Sequence, residues 1–184
     1  MRLILFCIPF CWFSCTNAPS DNLIQNLEEA IDYEVAEDVT IWYSDSAKVK
    51  ARIEGKVLRR FIDRVKPFDE FSEGVIVDFF DAEGRVESKM EANYAIRYDK
   101  DELIVARDPN GVVLSNVEGD TMISSEIIWD SGEDRIYTQR FVKIITPSRI
   151  IWGQGFESNN DFSKGRIKSV EGQLEVDNIV EEDE

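Results

Sequence analysis

The chain of 184 residues contains no histidine. That removes the commonest general base and the commonest metal ligand together, and with them most hydrolase chemistry. Cysteine is confined to Cys7, Cys11 and Cys15, so no paired thiolate ligands exist elsewhere. There is no glycine-rich phosphate loop and no nucleophile elbow. The sequence therefore assigns no catalytic residue, no metal site and no cofactor. Glu157, Asp161 and Glu171 are carboxylates of the type that cleaves glycosides, but a chain with 37 acidic residues generates such sets by chance, and a solvated face is the preferred reading. Basic residues are scarce, 21 against those 37, which gives a formal net charge of −16 and excludes nucleic acid as a partner.

Long hydrophobic runs are also missing. The one apolar stretch, residues 3–13, is too short to span a bilayer. It follows Met1 and Arg2 and ends at Ser14 and Cys15, an order that reads as a secretory signal: basic start, apolar middle, small residue before a break. Cys15 directly after the small residue predicts cleavage before it and lipidation of its thiol, so that acyl chains tether the protein to a membrane. A plain signal cut elsewhere is the alternative. The sequence thus divides into a cleaved lipoprotein signal (1–14), a lipid-anchored tether (15–37), a main domain (38–176) and an acidic, disordered tail (177–184). In the tether, Leu23, Ile24, Leu27, Ala30 and Ile31 fall on one helical stripe behind Ser20, Asp21 and Asn22, which predicts a short helix, with a partly ordered tether as the alternative. Loss of residues 1–14 leaves Cys15 alone, so no disulfide forms within the mature chain.

The main domain reads as strands. In residues 47–54, Ala47, Val49, Ala51 and Ile53 alternate with charged neighbours, and in 90–98 Met90, Ala92, Tyr94, Ile96 and Tyr98 do the same. Further strands are expected at 39–43, 75–80, 103–107, 112–115, 121–129, 135–138, 141–145, 149–152 and 166–176. They are separated by turn chemistry at 81–84, 99–102, 108–111, 130–134 and 146–148. Short strands at short intervals with no crossover helix predict consecutive antiparallel hairpins. A weak internal repeat lays Tyr98-Asp99 on Trp129-Asp130, each before an acidic turn. By period alone Val49, Ala51, Ile53, Met90, Ala92, Tyr94, Ile96, Tyr98, Val142 and Ile144 form the apolar face, for which an ordinary closed core is the plain explanation.

The segments GVIVDFFDAEGRVESKMEANYAIRYDKDELIVARDPNGVVLSN, GDTMISSEIIWDSGEDRIYTQRFVKI and RIIWGQGFESNNDFSKGRIKSVEGQLEV carry a recognisable order. Its features are Gly84 in a turn, the alanine-and-aromatic strand 92–98, the polar turn before Leu103, and the strand end at 125–130. Downstream follow 136–138, 142–144, Gly153-Gln154-Gly155-Phe156 and 167–172. In that order and spacing the chain resembles the LptC family of lipopolysaccharide-export proteins, over about residues 38–176.

The resemblance implies an all-β fold: an open, twisted antiparallel β-jelly roll, preceded here by the helical or disordered tether. It implies that the ten apolar-face residues named above include the contacts to the acyl chains of lipopolysaccharide. It further implies two sheet-edge interfaces: Val39 and Ile41 toward subunits of the inner-membrane ABC transporter, and Ile167, Val170, Leu174 and Val176 toward a periplasmic bridge protein of the LptA type. The implied place is the periplasmic side of the cell envelope, with the anchor in the inner membrane. The family's membrane-spanning helix is replaced here by the signal ending at Cys15. A different class stays open: a lipid-anchored β-sandwich that scaffolds an envelope complex or binds sugar, with Trp42, Trp129 and Trp152 as stacking platforms.

Overall fold

The computed structural model describes residues 33–175, which form one antiparallel sheet of eleven strands. The strands are β1 (Glu34–Asp45), β2 (Lys48–Phe61), β3 (Phe68–Phe71), β4 (Val75–Phe80), β5 (Val86–Ala92), β6 (Tyr94–Tyr98), β7 (Leu103–Asn116), β8 (Thr121–Asp130), β9 (Arg135–Ile145), β10 (Arg149–Asn159) and β11 (Arg166–Glu175). The fold is all-β and antiparallel, as the alternating pattern predicts, and consistent with the jelly-roll-like class that the resemblance implies. The predicted signal, Cys15, the tether helix, Val176 and the acidic tail lie outside the described residues, while the first strand begins at Glu34, four residues into the segment read as tether.

The pairing is simpler than eleven strands suggest. β3 and β4 both pair antiparallel with β2, Leu58 opposite Phe71 and Gly55 opposite Val75, so they are one interrupted strand. β5 and β6 run back along them as another, with Val75 opposite Ala92 and Phe71 opposite Ala95. The chain is therefore a meander of nine long strands, each pairing with the next. One expected turn is absent as a turn: Arg107 and Val112 both pair with β8, so the Pro109-Asn110-Gly111 segment is a bulge inside β7 rather than a hairpin. The strands expected separately at 135–138 and 141–145 are two halves of β9. The short β3, with its mixed Phe-Asp-Glu-Phe sequence, was not expected from the alternation at all.

Interruptions occur in one row across the sheet, at 56–57, 72–74, 93, 108–111, 125–127, 139–141 and 155. A bulge bends a strand and resets which side chains face which way. In β2 the buried set passes from Ala51, Ile53 and Gly55 to Leu58; in β8 from Met122 and Ser124 to Ile127 and Trp129; in β10 from Gly153 to Phe156 and Ser158. The sheet folds on itself along this row, so that the half carrying β4 and β5 faces the half carrying the ends of β8 and β9. Phe79 and Trp129 meet edge to face at 5.0 Å between ring centroids, and Tyr43 meets the same indole at 5.6 Å.

Polar groups stitch the fold row. The Gly74 amide donates to the Asn93 carbonyl at 2.9 Å, and the Asp108 carboxylate accepts from the amides of Asn93 (3.1 Å) and Asn110 (2.8 Å). Farther along, the Ser124 hydroxyl donates to the Phe141 carbonyl and the Gln154 side chain to the Gln139 carbonyl. Bulged residues lose ladder partners, and these contacts replace them. Asp108→Ala removes two charge-assisted hydrogen bonds and is expected to cost about 2 kcal/mol, with Asp108→Asn costing less. Urea unfolding checks this: the midpoint falls while the slope stays that of the parent.

Candidate functional site

The interior between the two halves is packed through its middle. Ala51, Ile53, Met90, Ala92 and Val142, five of the predicted apolar-face residues, are buried there among Phe71, Phe79, Trp129 and Phe156. Ile144 packs against this core from its border, and Val49, although on the same face, reaches the rim and is exposed. The space that remains is at the rims and at the fold row.

Tyr94, Ile96 and Tyr98 require correction. They do not share a face with Met90 and Ala92, because the interruption at Asn93 resets the alternation and puts Ala95 inside, opposite Phe71 and Ala106. Tyr94 instead donates its hydroxyl to Glu70 at 2.9 Å. Burial first, and then the neighbouring Glu70 carboxylate, push its phenol up to about 12. Tyr98 packs on Phe68 on that outer face and touches the rim at the end of its strand.

At that rim a cleft of about 270 Å³ lies between β1 and the turn joining β6 to β7. Its apolar walls are Ile41, Tyr43 and Ile53 on one side and Leu103, Ile104 and Trp129 on the other, and its mouth carries Arg97 with the carboxylates Asp99 and Glu102. The Tyr43 hydroxyl donates to the Ser131 carbonyl at 3.3 Å across the opening, and the buried indole N–H of Trp129 has no acceptor among the described residues. The two turns laid on each other by the sequence repeat are neighbours here, the Ser131 amide donating to the Glu102 carbonyl at 2.9 Å. Of the cleft residues, sequence reasoning placed Ile53 and Tyr98 on the lipid face and Ile41 on an edge. It missed Tyr43, Leu103 and Ile104, whose apolar character was visible but whose meeting depends on the fold row.

The larger hollow, about 590 Å³ at the fold row, is lined by Asp38, Glu54, Glu73, Glu91 and Asp108 with Lys56, and by Val39, Val75, Ile76, Ala92 and Val113; its excess of carboxylates disfavours an anionic headgroup. Among the described residues no group of three acidic or sulfur ligands is placed to hold a metal ion. Beside the apolar cleft, the half-buried rim of β2, β3 and β6 holds one charged cluster. Asp69 accepts from Arg60 at 2.9 Å and from Arg97 at 2.7 Å. Burial works against its ionisation, but the two guanidiniums outweigh that cost and hold the carboxyl below the usual carboxylate range.

Both ends of the sheet are unpaired among the described residues: β1 pairs with β2 alone and β11 with β10 alone. Val39 and Ile41 on β1 and Ile167 on β11 turn partly into the core, whereas Val170 and Leu174 are 60% and 57% exposed. The tryptophans do not assemble into one platform. Trp129 is buried in the core, and exposed Trp42 on β1 and half-buried Trp152 on β10 belong to strands near opposite ends of the sheet order.

A depressed carboxyl stabilises the fold fully above the unfolded carboxylate range and loses that contribution as the pH falls through its folded value. Thermal unfolding from pH 6 down to pH 2 should therefore show a flatter decline for Asp69→Asn than for the parent. At neutral pH Arg97→Met costs about 2 kcal/mol, since Asp69 keeps one partner in place of two.

No family model matches this chain, and no curated protein matches it.

Proposed function

We propose that this protein is a non-catalytic lipopolysaccharide carrier of the LptC type. It is held at the inner membrane by acyl chains on Cys15 and faces the periplasm. In this reading it receives lipopolysaccharide from the inner-membrane ABC transporter and hands it to an LptA-type bridge protein. The observation that carries the proposal is a single folded meander with an apolar interior, an apolar cleft at its rim, and an unpaired strand at each end of the sheet order. Unpaired edges are hazards that proteins normally cover, and partner strands add to such edges through main-chain hydrogen bonds.

An acyl chain gains about 0.8 kcal/mol for each methylene removed from water, so a few carbons in the Ile41–Trp129 cleft give weak, reversible capture. Deeper entry requires the halves to part along the rim, where they are joined by the Tyr43 and Phe79 contacts with Trp129, by Ser88 with the Asn160 carbonyl, and by Lys50 with Asp134 at 3.9 Å. The packed middle favours a second reading, a lipid-anchored β-sandwich scaffold whose core never opens.

A photoreactive amino acid at Leu103 in the cleft, compared with one at Glu91 on the outer face, separates the two. The carrier reading expects lipopolysaccharide captured at Leu103 well above Glu91, and about tenfold weaker binding in Leu103→Asp. Equal labelling at both positions in a folded protein supports the scaffold and overturns the carrier.

A further inference from the structure

The loop joining β2 to β3, residues 62–67, reverses the character of the rest of the molecule. Residues 59–66 read RRFIDRVK, four basic and one acidic, in a chain whose net charge is −16. At its tip Val65 is wholly exposed and Ile62 is 50% exposed. The loop is propped from below: Phe61 stacks on Phe68 at 4.6 Å, the Arg64 guanidinium lies 5.7 Å from the Phe61 ring, and the Lys66 ammonium lies 4.7 Å from the Tyr98 ring. A hollow of about 370 Å³ opens at its base, lined by Arg60, Arg97 and Lys100 together with Asp69 and Asp99. Tyr33, the first described residue, packs on Phe61 at 5.1 Å, so the chain joins the domain at this corner.

We propose that this loop docks on an anionic lipid surface. Ile62 and Val65 enter the headgroup boundary, while Arg64, Lys66 and Lys100 face lipid phosphates. Exposed apolar tips ringed by cations bind that boundary through buried area and attraction to anionic lipid together. The Lys66–Asp101 pair is solvent-exposed and exchanges for a phosphate at little cost. The corner where the chain enters decides the occupant. The inference rests on the anchoring part of the proposed function: an anchor at Cys15, 18 residues before Tyr33 in sequence (33 − 15), attaches to the domain through this corner. Docking then fixes the orientation of the cleft above the bilayer, which an anchor on a tether does not.

The test uses the full chain bound to vesicles containing brominated lipid, with Val65→Trp and, as control, Val117→Trp. Val117 is also exposed but sits in the acidic turn after β7, beside Glu118 and Asp120. With equal parts phosphatidylcholine and phosphatidylglycerol, the emission gained by Val65→Trp is expected to fall about twofold or more, and that gained by Val117→Trp to stay unchanged. In phosphatidylcholine alone neither is quenched. Absence of quenching at Val65 in a vesicle-bound protein overturns the docking, as does quenching independent of lipid charge or equal at both positions. Loss of vesicle association in phosphatidylcholine by the unsubstituted chain reports instead on the anchor, and lipopolysaccharide capture at Leu103 reports on the carrier.

Discussion

The structure depends on the row of interruptions that crosses seven of the nine long strands. An extended sheet with one apolar face has nothing to bury it against, and the described residues hold no α-helix, only a single 3-10 turn at Asp99–Asp101, to supply a second layer. Bending these strands at the same level lets the sheet cover itself. The bend requires each strand to re-aim its side chains in passing, and the Gly74, Asn93, Asp108 and Asn110 hydrogen bonds hold three neighbouring strands to the same level. A strand bending at another level would put its apolar set into water, because one residue of slip exchanges the faces.

That constraint also locates the space a ligand can use. The two halves meet where Phe79 and Tyr43 close on Trp129, with Phe79 and Trp129 buried there and Tyr43 half-buried. Toward the rim of β1 and β7 the contact thins to a cleft with apolar walls and an indole N–H without an acceptor. The charged cluster of Arg60, Asp69 and Arg97 borders the interior close by, so apolar walls and paired charges share one rim.

Strand identity was legible in the sequence because alternation is local. Val75–Phe80 carries its boundaries in residues alone, and Thr121–Asp130 does so within one residue. The bulge row was not legible, since no common residue type marks it: Asn93 sits there in one strand, Gly155 in another, and the polar run 125–126 in a third. Pro109-Asn110-Gly111 has ideal turn composition, and only the pairing of Arg107 and Val112 with the same strand shows that the chain runs straight on. The error at Tyr94, Ile96 and Tyr98 has that source, an alternation extended through Asn93 without its reset. For the cleft, Ile53 was readable from period, whereas Tyr43 and Ile104, about sixty residues apart in sequence, meet only because the sheet folds over on itself.

Carriage of an acyl chain between the halves requires the rims to separate, and that movement is the central physical claim. Spin labels at Val49 and Glu133, flanking the Lys50 and Asp134 contact that joins the rims at 3.9 Å, measure it by pulsed dipolar spectroscopy. On addition of lipopolysaccharide the distance distribution is expected to shift to longer values, and to stay unchanged with the deacylated sugar. A distribution unmoved by saturating lipopolysaccharide contradicts the account.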